Sequence, residues 1–154
     1  MDSAMDSSMI RRSVLLPALL AIGGCGEPAP PLAVGDVNVF APLPGSTMGA
    51  AYMTITNNTG DTIVIGRVAS PQFGQVELHE TRLSDGVARM RELPALPVPA
   101  RSSVALAEGG VHLMLMRPVD KLEIGQPITL RVHYDSDGVV IVTSNLKSRL
   151  DGTR

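Results

Sequence analysis

Four residues carry donor atoms whose combination is chemically selective: His79, Met90, His112 and Met114. Imidazole nitrogen binds copper in either oxidation state, whereas thioether sulfur is neutral and soft and favours Cu(I) over Zn, Mg or Ca. "VELHETR" (76–82) reads as a strand with Val76 and Leu78 on one face and Glu77, His79 and Thr81 on the other, because strand side chains alternate. "GVHLMLMRP" (110–118) places Val111, Leu113 and Leu115 on one face and His112, Met114 and Met116 on the other. Met90 follows on the return strand of a hairpin. A four-residue loop over 83–86 pairs Arg82 with Val87, which sets His79 opposite Met90 with Cβ atoms about 4.5–5.5 Å apart and Glu80 opposite Arg89. A tighter Asp-Gly turn shifts the pairing by two residues and leaves His79 and Met90 diagonal on the same face. If both segments meet at one end of a sandwich, the donors suit one Cu(I) per chain, with Cu(II) as an additional guest.

Taken singly, each residue has a plainer role: Met fills irregular gaps in cores, and a strand His is commonly a surface residue. By that standard His133 is set aside with Arg131, opposite Leu130, Val132 and Tyr134. Met48 and Met53 are expected in core or edge roles, with an approach of Met48 to the metal as the alternative; Met116 is expected in core or rim packing, with a place lining the site as its alternative.

The elements that must position these donors are short. Strand-like runs fall at 36–42, 50–57, 62–69, 75–82, 87–93, 103–107, 111–116, 127–134 and 138–145. They are separated by turn compositions such as "NNTGD", "LPVPARS" and "DSDG", and no stretch keeps a helical period. This spacing predicts an all-β antiparallel sandwich or barrel of seven to nine strands. Asn57-Asn58-Thr59 and the calcium-loop-like "DSDG" are read as turns.

Ahead of this domain, "MIRRSVLLPALLAIGGC" combines two arginines, a short apolar run and small residues before Cys25. That is the layout of an export signal. The "IGGC" ending resembles a bacterial lipobox, which implies a signal peptide over 1–24 and lipid on Cys25. A Pro-rich tether is expected over 25–35, the sandwich over 36–146 and a polar tail over 147–154. Location outside a bacterial cytoplasm, tied to a membrane by lipid, follows. Cys25 is the only cysteine, so an intramolecular disulfide is excluded, and so is the Cys-ligated blue-copper centre of electron-transfer proteins. A formal net charge of −2 with no basic cluster argues against nucleic-acid binding. No nucleophile–base pair is evident, Ser102 and Ser103 having no nearby His, so an enzyme is not expected.

The joint spacing H-x10-M-x21-H-x-M resembles that of the periplasmic copper chaperones of the PCuAC family. "GAAYMTITNNTGD" (49–61), "ASPQFGQVELHET" (69–81), "LPVPARSSVALAEGGVHLMLM" (96–116) and "ITLRVHYDSDG" (128–138) are similar to family segments in family order, covering residues 34 to 145. The resemblance implies a cupredoxin-like sandwich holding Cu(I) through His79, Met90, His112 and Met114. It also implies delivery toward the dinuclear copper centre of cytochrome c oxidase, alongside Sco-type thiol proteins, by a monomeric carrier. Many members have Met directly after "HE", where this chain has Thr81, so an auxiliary sulfur is missing there. Copper sequestration and a metal-free scaffolding sandwich are the alternative readings.

Overall fold

The computed structural model describes residues 29–135 and 137–150. Ten strands follow one another: β1 (Leu32–Phe40), β2 (Met48–Asn57), β3 (Ile63–Ala69), β4 (Phe73–Ser84), β5 (Val87–Glu92), β6 (Leu96–Val98), β7 (Ser103–Leu106), β8 (Val111–Pro118), β9 (Pro127–Tyr134) and β10 (Gly138–Lys147). One layer runs β5-β4-β8-β2-β1, with β7 also on β2; the other runs β10-β9-β3-β6. Buried Val39, Ala51, Met53, Ile55, Leu78, Leu113 and Leu115 of the first layer meet Ile63, Ile65, Val98, Ile128, Leu130, Val132 and Leu146 of the second. This is the expected all-β, cupredoxin-like sandwich, and Met53 lies in its core.

Three expectations need correction. The sheet is mixed, because β1 and β10 pair in parallel where the two layers join, Val39 with Leu146 and Phe40 with Lys147. There is one strand more than anticipated: β6 lies within "LPVPARS", which reads as a loop because of its prolines. Leu96 and Val98 are nevertheless buried while Pro97 points outward, and an edge strand pairing only with β3 tolerates proline on its free side. The domain also starts and ends differently. β1 begins at Leu32, inside the expected tether, and Lys147 of the expected tail completes β10. Arg149 then packs its guanidinium over the rings of Phe40 (5.9 Å) and Tyr52 (5.7 Å).

Two local features aim β1 and β2 at the site. Between Gly35 and Asn38 the register slips by one, with Asp36 at φ 52°. This bulge flips the alternation, so that Leu32 and then Val39 face the core while Phe40 turns outward. Gly49 lies so close to β1 that a Cβ would sit 2.6 Å from the Phe40 carbonyl oxygen; only glycine fits without moving a strand.

Candidate metal centre

The β4–β5 hairpin closes through Asp85 and Gly86, both with positive φ (55° and 77°), between the pair Ser84 and Val87. This is the tighter of the two turns considered, and its backbone twist matches that of the strands. The Arg82–Val87 pairing is therefore not formed. Thr81 faces Met90 and His79 faces Glu92, leaving His79 and Met90 diagonal on one face. Glu80 faces Arg91, not Arg89, and accepts from its Nε (3.0 Å) and Nη2 (2.8 Å) and from Arg82 Nε (2.9 Å).

Strand β8 lies against the other side of β4, with His79 directly opposite His112 and Glu77 opposite Met114. The two imidazole centroids are 6.2 Å apart. On the far side of β8, Ala50 faces Met114 and Met48 faces Met116. The four predicted donors thus share the outer face of three neighbouring strands. The inner face of β8 is anchored by Leu113 and Leu115, both fully buried.

Both histidines are held in a defined orientation. His112 is 6% exposed, and its Nδ1 lies 3.0 Å from the Gly110 carbonyl. A carbonyl only accepts, so Nδ1 carries the proton and, in the neutral ring, Nε2 keeps the lone pair. His79 has the opposite arrangement. Its Nε2 lies 2.8 Å from Glu77 Oε2, while its Nδ1 is buried with no hydrogen-bond partner. The hydrogen bond from His79 holds the Glu77 carboxyl below the ordinary carboxylate value, against the opposing effect of burial; the Gln75 amide, which also donates to Glu77, helps. Glu77 stays anionic and fixes the His79 tautomer, the arrangement commonly found behind metal-binding imidazoles. Buried polar atoms without partners are uncommon, and an orphaned imidazole nitrogen on a ring that faces a second imidazole, on a strand face shared with two thioethers, fits a soft cation.

A groove of about 300 Å³ opens over this face, bordered by Met90, His112, Met114, Thr81 and, from β2, Met48 and Tyr52. His79 does not border it; its ring stays with Glu77. Met90 is 54% and Met48 46% exposed, so the groove mouth is rimmed by sulfur. Among the described residues no three His, Cys, Asp or Glu side chains cluster to hold a metal. Glu77 and Gln75 received no role in the sequence reading. Their signal was the i, i+2 and i, i+4 spacing from His79 on one strand face. Tyr52, tilted against Phe40 with ring centroids 5.6 Å apart and hydrogen-bonded by Arg149, lines the groove; burial raises its phenol above the ordinary value, against the pull of Arg149. His133 pairs with Val139 and Arg67 in the other layer, away from the site. Cys25 lies outside the described residues.

The LpqE-like lipoprotein family model matches residues 32–145. The lipoprotein Lxx21020 of Leifsonia xyli subsp. xyli is 30% identical over 140 residues, 84% of each chain. Among solved structures, the Cu(I)-bound DR1885 of Deinococcus radiodurans superimposes with a TM-score of 0.65 at 30% identity, over 80% of this chain and 83% of that one. The apo form of DR1885 gives 0.58 at 28% identity, over 96% and 99%. The copper-bound PCuAC domain of PmoF2 gives 0.64 at 20% identity, over 79% and 97%, a likeness of fold. Sequence match across the whole sandwich and superposition on PCuAC domains agree: this protein belongs to the LpqE-like family and has the PCuAC fold.

Proposed function

We propose that this protein is an extracytoplasmic copper chaperone that binds one Cu(I) through His79, Met90, His112 and Met114 and passes it on without catalysis. The observation that carries the reading is the pair of facing imidazoles with opposite tautomers. Their free nitrogens, Nδ1 of His79 and Nε2 of His112, share one strand face with two thioethers. The Cu(I)-bound state of DR1885, similar over most of both chains, supports copper as the cargo.

Each residue has a distinct task. Leu113 and Leu115 lock β8 into the core, so His112 and Met114 are held without spending loop entropy. Glu77 and the Gly110 carbonyl keep the two ring protons away from the donor nitrogens. Met90, on an edge strand and half exposed, is the donor most open to displacement. Thioethers and imidazoles are neutral, so an incoming thiolate competes well for the ion. Cu(I) then leaves by ligand exchange inside a docked complex. The expected acceptor is the protein carrying the dinuclear copper centre of cytochrome c oxidase, or a Sco-type thiol protein that serves it. Lipid on Cys25 would confine the carrier to a membrane surface and raise its effective concentration near such a client.

Anaerobic titration against a Cu(I) chelator tests the site. One equivalent should be retained, and Met114→Leu should weaken Cu(I) by roughly tenfold or more, about 1.4 kcal/mol, with a smaller effect on Cu(II). Equal losses for both ions would refute the role of sulfur. Delivery, as distinct from sequestration, requires that a deletion strain lose cytochrome oxidase activity under limiting copper.

A further inference from the structure

The groove over the site is bordered by one imidazole and three thioethers, His112 with Met48, Met90 and Met114, and this set differs from the proposed four ligands by exchanging His79 for Met48. We infer that Met48 is a third sulfur ligand, which takes Cu(I) at the groove mouth, a rim that His79 does not border. The inference rests on the copper-binding reading above and assigns the route by which the ion enters and leaves.

Met48 is placed for this by its surroundings. Gly45 (φ 83°) turns the chain before β2, and the Met48 amide donates to Ser46 Oγ at 3.1 Å. Gly49 next to it presses β2 against β1. In the β2–β8 register Met48 faces Met116, and Ala50 faces Met114, so Met48 is diagonal to Met114. Diagonal neighbours stand about 7–8 Å apart, within reach of long side chains. The small Ala50 between them leaves the space open. Met48 is 46% exposed and contributes nothing to the buried core. Met116, although on the same face, does not border the groove. Thr81, opposite Met90, offers only a hard hydroxyl oxygen to a soft ion, and on the β2 side of the groove the soft donor is Met48.

The exchange is balanced. As the Cu–N bond to His79 opens, a lone pair on Met48 Sδ forms a Cu–S bond. Both donors are neutral, the ion stays Cu(I), no electron moves, and the imidazole keeps its hydrogen bond to Glu77.

The test compares Cu(I) competition and X-ray absorption for the wild type, Met48→Leu, His79→Gln and the double variant. Leucine keeps the bulk of methionine, so a packing role alone is unaffected. His79→Gln should retain Cu(I) with three sulfur scatterers, those of Met48, Met90 and Met114. Adding Met48→Leu should remove one sulfur and weaken binding by roughly a further tenfold. If His79→Gln and the double variant match in both affinity and sulfur count, the inference is overturned while the chaperone reading stands. A wild-type complex without any sulfur scattering would overturn both.

Discussion

An imidazole becomes a metal ligand only when its proton is parked on the other nitrogen, and here two different acceptors do the parking. For His112 it is a backbone carbonyl, which no substitution removes; for His79 it is the Glu77 carboxylate. Loss of such an outer partner commonly costs 10–100-fold in metal affinity. Glu77→Ala is therefore expected to weaken Cu(I) by roughly tenfold or more while leaving the circular dichroism spectrum unchanged, and competition titration reads the difference. An unaltered affinity would mean that the orientation of His79 does not matter. At this scale much was legible beforehand. Strand alternation alone places His79, His112 and Met114 on outward faces, and the softness of sulfur follows from residue type. Spacing shows only that Glu77 shares a strand face with His79; the contact itself depends on ring rotation about a side-chain torsion, which spacing does not fix.

Among the elements, the β4–β5 turn decides whether Met90 meets His79. Asp85-Gly86 selects the two-residue turn, and Met90 becomes a diagonal neighbour. Both registers keep the pair on one face, so that shared face was predictable even though the register was not. The facing of His79 and His112 was out of reach of local reasoning, since β4–β8 pairing depends on how the whole layer assembles. Strand β6 was hidden by its prolines. Its attachment is secured by Asn57, a fully buried amide whose Nδ2 donates to the carbonyls of Asp61 (2.8 Å), Val98 (3.0 Å) and Pro99 (3.1 Å). Its Oδ1 accepts from Thr59 N and Oγ1, both at 2.8 Å. Asn57→Ala strands these groups, which should cost about 1–3 kcal/mol. A lower denaturant midpoint at constant slope is the expected readout, and an unchanged midpoint would show that water replaces the amide at no cost.

At the scale of the molecule, the site stands on one outer face of a sandwich whose interior is almost wholly aliphatic, with Phe73 the one aromatic side chain in the buried core cluster. The number and spacing of turns made that architecture readable. The parallel β1–β10 seam was not readable, because it joins segments more than a hundred residues apart in sequence and no local pattern encodes it. The proposed attachment to a membrane would rest on lipid at Cys25. Cys25→Ser should abolish incorporation of labelled fatty acid and move the protein from the membrane to the soluble fraction; unchanged fractionation would mean that some other segment anchors it.

The central claim is that nitrogen and sulfur donors from three strands converge on one ion. X-ray absorption on the anaerobic Cu(I) complex of the full chain measures this most directly. A first shell mixing sulfur and imidazole nitrogen is expected, with the sulfur contribution reduced in Met114→Leu. A shell of nitrogen and oxygen alone in the reduced protein would contradict the account.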